Sequence, residues 1–450
     1  MANRNKSALC KRFHIVLIPG FGGFDALGKI EYYAGVTRIF QQWNTGKSAV
    51  LHYFDNLPTA AVVTRATRLQ SYLAKRMARG EILEGDDIIL VGHSTGGLDI
   101  RQLLSDLHDR HTPEVHVDGG IPVHSADIRQ RVGRVVFLSV PHWGTNIADW
   151  VVSHPCLRKT VVTELRAAVA GSQVYLLDQL ETRIAGAAAF LTGADLLRAS
   201  QDTLTEANER FGEPGPQRTA EAHEAAADLA LYFRDMASDF HVIQDLTSQP
   251  PDSEPNSPAH FNREQRKKEL EWWNNPPIET LSYATVASSP FRFVPDSPAP
   301  VWDLANPCTY PEISKDARLS ADTDISYRLC YRACAGGPFQ RPAEGGKVTR
   351  YLNGAPRGRL EIWDNDGIVN TLSMLWPKGP NVLVAGDHLD IVGHYKPVKV
   401  EPKRVESGCR PGREYRSYDL LKSVPRFNDR TFEQVWTGIF NFSVGRKQPN

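Results

Sequence analysis

The segment Ile88–Gly97 constrains the fold of this chain more than any other part of it. Its first four residues, Ile-Ile-Leu-Val, predict a short buried strand, and the next five, Gly-His-Ser-Thr-Gly, form a G-x-S-x-G motif. A helical pattern follows up to His108. A strand, a sharp turn and a helix in this order are typical of a nucleophile elbow. Ser94 is therefore the predicted nucleophile, and a glycine-rich structural turn is the alternative.

The residues around this serine predict how negative charge would be stabilised. A Cβ at Gly92 or Gly96 would collide with the neighbouring strand or helix, so the turn needs both glycines. The helix that follows points its N–H groups and its positive dipole end at developing negative charge. We therefore expect the Thr95 N–H as one oxyanion donor. The Phe21 N–H, in the Gly-Phe-Gly-Gly segment after the first strand, is the second expected donor.

The hydrophobic pattern predicts an α/β fold with a mostly parallel central sheet and helices on both faces. An amphipathic helix is expected over Thr59–Arg79. Buried strands are expected at Phe13–Ile18, Ala49–Tyr53, Ile88–Val91, Arg134–Val140 and Glu279–Val286.

Between the last two of these strands the chain becomes helical and rich in Ala and Leu, which predicts a large helical lid insertion. This pattern divides the chain into three segments: 1–145 as the first half of the core with the elbow, 146–278 as the lid, and 279–450 as the second half of the core with the catalytic acid and base. The insertion enters at the carboxyl end of a strand, where open α/β sheets bind ligands. Its apolar helix faces, which include Leu177 and Leu180, are expected to form an acyl pocket for medium or long chains.

Composition excludes several classes of protein. In 450 residues, 52 Lys and Arg balance 52 Asp and Glu, which gives no electrostatic case for a nucleic-acid partner. No run of apolar residues is long enough for a transmembrane helix. The first twelve residues lack the apolar core of a signal peptide. We therefore expect a cytoplasmic protein, or a secreted one if the N-terminus has been trimmed.

A serine nucleophile requires a base to take its proton and an acid to orient that base. In α/β hydrolases the order along the chain is Ser, Asp or Glu, then His. Two compact segments after the insertion offer these groups in turns beside apolar residues. They are Asp364–Val369, with the sequence Asp-Asn-Asp-Gly-Ile-Val, and Gly386–Val392, with the sequence Gly-Asp-His-Leu-Asp-Ile-Val.

The chain resembles the true bacterial lipases, the family of the α/β-hydrolase superfamily that includes the Pseudomonas/Burkholderia and Bacillus-type lipases. The resemblance covers about half of the chain in ordered patches, of which the last two are the most specific. The matching segments are Gly20–Asp25, Gly92–Gly97, Ser139–Thr145, Asp364–Thr371 and Asp387–Asp390. One departure is Pro19 before the oxyanion segment, where these lipases usually have His.

The resemblance implies that Asp366 is the catalytic acid, His388 the base and Asp390 a calcium ligand. The second calcium carboxylate of the Bacillus-type lipases is replaced here by Tyr395-Lys396, which counts against a calcium site. The alternatives are therefore a structural calcium at Asp390 and an Asp390 that simply orients the histidine loop. No organic cofactor is required. His93 is expected to pack in the sheet interior, and His142 to brace its loop by a hydrogen bond.

The expected function is a serine carboxylic-ester hydrolase, similar to lipases and esterases, that cleaves acyl esters through an acyl-enzyme. The expected partner is a small-molecule acyl ester or lipid. Three alternatives remain: an acyltransferase or lactone/amide hydrolase with the same triad, a phospholipase delivered as a toxin, and a non-enzymatic binding protein of the same fold. The motifs alone specify neither acyl length nor alcohol group.

Overall fold

Parallel strands form the central sheet in a computed structural model of the chain. The structure describes residues 11–27, 30–46, 48–108, 123–153, 232, 235, 239–248, 257–275, 277–289, 325–337, 339–396, 398–400, 415–417, 419–421, 423 and 427–446. The strands are β1 Phe13–Ile18, β2 Ala26–Leu27, β3 Ile30–Glu31, β4 Ala49–Tyr53, β5 Asp87–His93, β6 Val132–Leu138, β7 Glu279–Val286, β8 Val348–Leu352, β9 Asn381–Ala385, β10 Val398–Val400 and β11 Tyr415–Ser417. The helices are α1 Val36–Trp43, α2 Val62–Ala78, α3 Thr95–His108, α4 Ser125–Arg131, α5 Asn146–Ser153, α6 Val242–Asp245, α7 Arg263–Trp272, α8 Ile325–Gly336 and α9 Asp429–Ser443.

Seven of the described strands make the main sheet, in the order β4-β1-β5-β6-β7-β9-β8, and each neighbouring pair is parallel. A smaller sheet has the order β10-β11-β3-β2. The inner strands of the main sheet carry continuous apolar runs because both of their faces are covered. The side chains of Ile15–Ile18 and Ile88–Val91 are fully buried, and each contributes roughly 1.5–3 kcal/mol by its removal from water.

The order of the strands determines where the helices and the ligand crevice lie. The chain runs from β1 through α1 to β4 on one side of β1, and then through α2 to β5 on the other side. Because such crossovers are right-handed, opposite directions place α1 and α2 on opposite faces of the sheet. Accordingly, α1 packs against α9, and α2 packs against α3. At β1 the chain thus changes the direction in which successive strands are added to the sheet. This change leaves a crevice at the carboxyl ends of β1 and β5, which is where open α/β sheets bind ligands.

The predicted α/β class with a mostly parallel sheet is confirmed. The predicted strands are present, and the helix expected over Thr59–Arg79 is α2. Most of the predicted lid, including Leu177 and Leu180, lies outside the described residues, so the lid and the three-segment division stay predictions. None of the described helices is long and apolar enough to cross a membrane.

Candidate active site

Ser94 lies in a strained turn between β5 and α3. Its φ angle is +52°, in the left-handed region that residues other than glycine rarely adopt. Such a conformation costs on the order of 1–3 kcal/mol and persists only where the surroundings hold it. Here the Ser94 N–H donates to the Leu138 carbonyl at 2.8 Å, and α3 begins at the next residue. The turn therefore has the geometry expected of a nucleophile elbow.

Close backbone packing around the turn explains its glycines. A Cβ on Gly92 would lie 2.7 Å from the backbone of Gly96, and one on Gly96 would lie 2.4 Å from the Ile18 carbonyl oxygen. Both glycines are therefore needed for the steric reason predicted from the sequence. Gly20 is equally restricted, because its Cβ would lie 2.5 Å from the Cβ of Ser94. The loop after β1 thus contacts the serine turn directly.

Asp366 and His388 are joined by a hydrogen bond, although 21 residues separate them in the chain. His388 Nδ1 donates to Asp366 Oδ2 at 2.7 Å, and both side chains are buried. The other carboxylate oxygen of Asp366 accepts the N–H groups of Ile368 at 3.0 Å and Val369 at 2.8 Å. The His388 N–H also donates to the Asp366 carbonyl at 3.0 Å. These bonds fix the carboxylate and the imidazole relative to each other.

The two neighbouring candidates for acid and base point elsewhere. Asp364 Oδ2 accepts the N–H of Glu361 at 2.8 Å and so braces its own turn. His394 Nε2 lies 3.2 Å from the carbonyl oxygen of Tyr32. Of the acidic and imidazole groups in the two segments, Asp366 and His388 are the pair that the structure brings together.

Ser94 and His388 line the same cleft. Most of its other lining is apolar: Phe21, Tyr32, Pro141, Thr145, Ile147, Ala148, Ile243, Leu246, Ile368, Val369 and Leu389. Among the described residues, no hydrogen bond joins the Ser94 hydroxyl to His388. Catalytic hydrogen bonds are often long in the absence of substrate and tighten when it binds.

The two expected oxyanion donors belong to two segments that meet at the serine turn, the loop after β1 and the start of α3. Thr95 is the first residue of α3, so its N–H has no partner within the helix. Phe21 follows Gly20 in the loop after β1, and its ring lines the cleft. The loop is held in place because the Gly22 N–H donates to the Pro58 carbonyl at 2.8 Å. The oxyanion role of these two N–H groups stays a prediction.

A fully buried arginine, Arg65, clamps this loop to the serine turn. One of its terminal nitrogens donates to the carbonyls of Pro19 at 3.0 Å and Gly20 at 3.1 Å, and to the Thr95 hydroxyl at 3.1 Å. The same nitrogen and Nε also bond Asp99 at 2.9 to 3.1 Å. Burial raises the pKa of Asp99 to about 6, against the opposing pull of the guanidinium.

Sequence reasoning missed Arg65, although a signal was available. It lies on the buried face of α2 with Val62, Ala66 and Leu69, at helical spacing, where a charged residue requires a buried partner.

His93 connects the loop after β1 to the loop that carries His388. Its Nε2 lies 2.9 Å from the His388 carbonyl, which can only accept, so Nε2 carries the proton. Nδ1 then accepts the Tyr32 hydroxyl at 2.6 Å, and the Tyr32 oxygen accepts the Gly20 N–H at 2.8 Å. Burial lowers the pKa of His93 and raises that of Tyr32, so both are neutral. His93 is buried as expected, and it also positions two loops of the site.

His142 does not brace its loop through its ring, contrary to expectation. Among the described residues neither ring nitrogen has a hydrogen-bond partner, and burial lowers its pKa. The ring instead packs against Phe137 and Trp376, with centroids 4.7 Å apart in both cases. The bracing is done by the backbone, whose N–H donates to Ser373 and whose carbonyl accepts from Arg101. An aromatic environment offers no polar partner to the imidazole.

Asp390 lies in a buried acidic turn beside His388. Its Oδ2 accepts the N–H of Asp387 at 2.8 Å, and Asp387 Oδ1 accepts the N–H of Asp390 at 3.1 Å. Burial raises the pKa of both carboxyl groups, that of Asp387 to about 7. Within the described part of the chain, no group of three or more His, Cys, Asp or Glu side chains is arranged to hold a metal ion. Calcium at Asp390 stays a prediction from the resemblance.

Comparisons with known proteins do not assign the chain to a family. No protein-family model matches it, and no curated protein does. Among solved structures it is similar to lipase 1 from Pelosinus fermentans, at 16% identity and a TM-score of 0.41, over 85% of this chain and 94% of that one. EstA from Clostridium botulinum has 17% identity and a TM-score of 0.41, over 85% and 83% of the two chains. Staphylococcus hyicus lipase has 15% identity and a TM-score of 0.38, over 87% and 91%.

Proposed function

We propose that the protein is a serine carboxylic-ester hydrolase of the α/β-hydrolase fold, similar to the bacterial lipases and esterases. The observation that carries the proposal is the hydrogen-bonded pair of Asp366 and His388 in the cleft that also holds Ser94. A nucleophile in a strained turn, a base and an acid that orients the base are the components of a catalytic triad. The order Ser, Asp, His along the chain is that of α/β hydrolases.

The proposed reaction has two halves. Ser94 Oγ attacks the ester carbonyl while His388 Nε2 takes its proton, and His388 then gives this proton to the departing alcohol. Asp366 stabilises the imidazolium through its bond to Nδ1, and the Phe21 and Thr95 N–H groups stabilise the tetrahedral oxyanion. Water, deprotonated by His388, then attacks the acyl-enzyme, and His388 gives this proton to the Ser94 oxygen as the bond to the acyl group breaks and the acid leaves. None of these steps uses a metal ion.

The apolar lining of the cleft supports an apolar acyl group as the part of the substrate that binds there. Ile243, Leu246 and Ile368 lie in the wall of the cleft, and a group that binds there leaves water for an apolar surface. Each buried methylene contributes about 0.8 kcal/mol, so longer acyl chains gain affinity until the cleft is filled. We therefore expect a preference for medium or long acyl chains over acetyl and butyryl.

A series of p-nitrophenyl esters of increasing acyl length, hydrolysed by the wild type and by Ser94→Ala, tests the proposal. The wild type should release p-nitrophenol with saturable kinetics. The variant should lose on the order of 10⁶ in kcat, the scale seen when a triad nucleophile is removed.

Ser105→Ala serves as the matched control, since this serine lies on α3, the helix that begins at the residue after Ser94. It should keep the wild-type rate. Equal activity of wild type and Ser94→Ala would overturn the proposal, as would a wild type inactive on every ester of the series.

A further inference from the structure

We propose that the hydroxyl groups of Ser139 and Thr285 form a relay that sets how strongly Asp366 holds the His388 imidazolium. This inference rests on the proposed function, because it concerns the acid and base of the same site. Both are positioning residues that act through the carboxylate of Asp366. Neither residue belongs to the predicted triad or oxyanion hole.

The relay is a chain of short contacts behind the catalytic pair. Thr285 Oγ1, in β7, donates to Asp366 Oδ2 at 2.6 Å. Ser139 Oγ, one residue beyond β6, lies 2.7 Å from Thr285 Oγ1. All three side chains are fully buried. The same Oδ2 atom of Asp366 accepts the proton of His388 Nδ1 at 2.7 Å, so it has two donors.

Chemistry fixes the direction of each bond. An ionised carboxylate can only accept, so the single hydroxyl proton of Thr285 goes to Asp366. The Ser139 hydroxyl must then donate to the Thr285 oxygen. The order is Ser139 to Thr285 to Asp366, with every dipole pointing at the carboxylate. Bonds in such a chain polarise and strengthen one another.

Backbone strain supports a role for Ser139 beyond packing. Its φ angle is +50°, and it is one of three described residues other than glycine with a positive φ, together with Ser94 and Asn353. The Ser139 N–H donates to the Tyr283 carbonyl at 2.8 Å, which holds this conformation. Strain of this kind collects at functional sites. Here it places the hydroxyl beside Thr285.

Thr285 and His388 therefore share one carboxylate oxygen of Asp366. Negative charge on Oδ2 is divided between the Thr285 hydroxyl and the His388 N–H. Without the hydroxyl, the His388 N–H is the one of these two donors that remains on Oδ2, so the hydrogen bond between Asp366 and His388 becomes stronger. The relay therefore sets the strength of this hydrogen bond.

Thr285→Val, which keeps the shape and removes the hydroxyl, tests the relay through the proton NMR resonance of His388 Nδ1–H, assigned by its loss in His388→Ala. This resonance should move downfield, because Oδ2 accepts from one donor fewer. Thr285→Ser should restore the wild-type position. Ser139→Ala should move the resonance in the same direction by less, and it provides a second variant if Thr285→Val does not fold.

Thr371→Val is the matched control. Thr371 is also fully buried, but its hydroxyl donates to the Thr285 carbonyl at 2.9 Å and not to Asp366. A purely structural role for Thr285 would make both valine variants lower kcat without moving the His388 Nδ1–H resonance. A shift of the resonance in Thr285→Val but not in Thr371→Val is the result expected.

This readout does not depend on activity. If the wild type hydrolyses no ester but the resonance moves in Thr285→Val, the proposed function fails and the relay stands. If the wild type is active and the resonance does not move, the relay is refuted and the proposed function stands.

Discussion

Arg65 and Asp99 form a fully buried ion pair beneath the candidate site, with the Arg65 terminal nitrogen 2.9 Å from Asp99 Oδ2. The same nitrogen bonds the carbonyls of Pro19 and Gly20. The ion pair therefore joins α2, α3 and the loop after β1. Because the guanidinium is planar and has five donors, it can serve these acceptors together, which an ammonium group cannot do.

Arg65→Lys should lower kcat by about 10- to 100-fold, because the loop that carries Phe21 loses its anchor. This decrease should not exceed the effect of removing one oxyanion donor. Steady-state hydrolysis of a soluble p-nitrophenyl ester checks this. Arg68→Lys, one turn further on the exposed side of α2, should keep the wild-type kcat. Equal kcat values for Arg65→Lys and Arg68→Lys would show that the loop does not need the clamp.

Tyr32→Phe should reduce both stability and kcat, because it leaves the Gly20 N–H and His93 Nδ1 without partners. Each buried polar group so orphaned costs about 1–3 kcal/mol. Urea unfolding and ester kinetics measure the two effects. Tyr33→Phe is the control, since its hydroxyl donates at 2.6 Å to the Ile18 carbonyl, whereas the His93 imidazole is bonded by the Tyr32 hydroxyl. A loss of kcat in Tyr33→Phe as large as in Tyr32→Phe would contradict the positioning role of the Tyr32–His93 chain.

Replacing each of the two candidate acids by asparagine should show whether Asp366 or Asp364 is the catalytic acid. Asp366→Asn should lose several orders of magnitude in kcat, as removal of the orienting charge does in other triads, whereas Asp364→Asn should keep most activity. The two carboxylates lie in one turn, so damage to the turn would affect both variants. The reverse ranking would mean that the wrong aspartate has been chosen.

His388→Ala and His394→Ala form the equivalent pair for the base. His388→Ala should lose several orders of magnitude in kcat, because among the described residues that line the cleft with Ser94 it is the only imidazole or carboxylate. His394→Ala should retain activity, since its ring faces the Tyr32 carbonyl and not the cleft. The kcat of both variants on one ester at one pH decides between the two histidines. Activity that survives in His388→Ala and disappears in His394→Ala would reverse the assignment.

The parts of the site that local sequence could predict are those determined by short-range geometry. The Ser94 turn requires small neighbours within a few residues, and the glycines of the motif reveal this. The pairing of Asp366 with His388 was expected only through the resemblance, because nothing local distinguishes Asp366 from Asp364. Its physical cause is the meeting of two loops at one sheet edge, which depends on the strand order.

The parts that could not be predicted depend on long-range packing. Thr285 reads as an ordinary strand residue, and its contact with Asp366 exists only because β7 lies between β6 and β9. β8 was also not predicted. β8 is a half-exposed strand at the edge of the sheet, so its sequence lacks the continuous apolar run that identified the inner strands.

The contribution of Asp245 to stability should fall as the pH rises from about 4 to about 6. Burial raises its pKa to about 6, so the folded state disfavours the ionised form that the unfolded chain adopts from about pH 4. Its stabilising contribution is complete below the unfolded pKa and is lost as the pH passes through the folded one.

Asp245→Asn removes this titration. It retains an oxygen for the Val62 N–H at the start of α2, which the carboxylate accepts at 2.8 Å. The free energy of unfolding of Asp245→Asn should exceed that of the wild type by about 2 kcal/mol more at pH 8 than at pH 4.5. The exposed Glu84→Gln should show no such change. A difference between Asp245→Asn and wild type that is the same at both pH values would contradict the prediction.

Filling the cleft should shift the acyl-chain preference. Ala148 lies in the cleft wall on α5, and a larger side chain there removes space that an acyl chain would use. Ala148→Leu should lower the ratio of kcat/KM for octanoyl over butyryl esters by about tenfold. Val152→Leu, on the same helix but partly exposed to solvent, should leave the ratio unchanged. If Ala148→Leu also leaves the ratio unchanged, the acyl group does not bind along this wall.

The central claim is that Ser94 is the nucleophile, and a fluorophosphonate probe tests it most directly. Such probes react covalently with an activated serine and require no knowledge of the natural substrate. Peptide mass spectrometry of the labelled wild type should place the phosphonate on Ser94, and Ser94→Ala should remain unlabelled. A phosphonate on another serine, or full labelling of Ser94→Ala, would contradict the account.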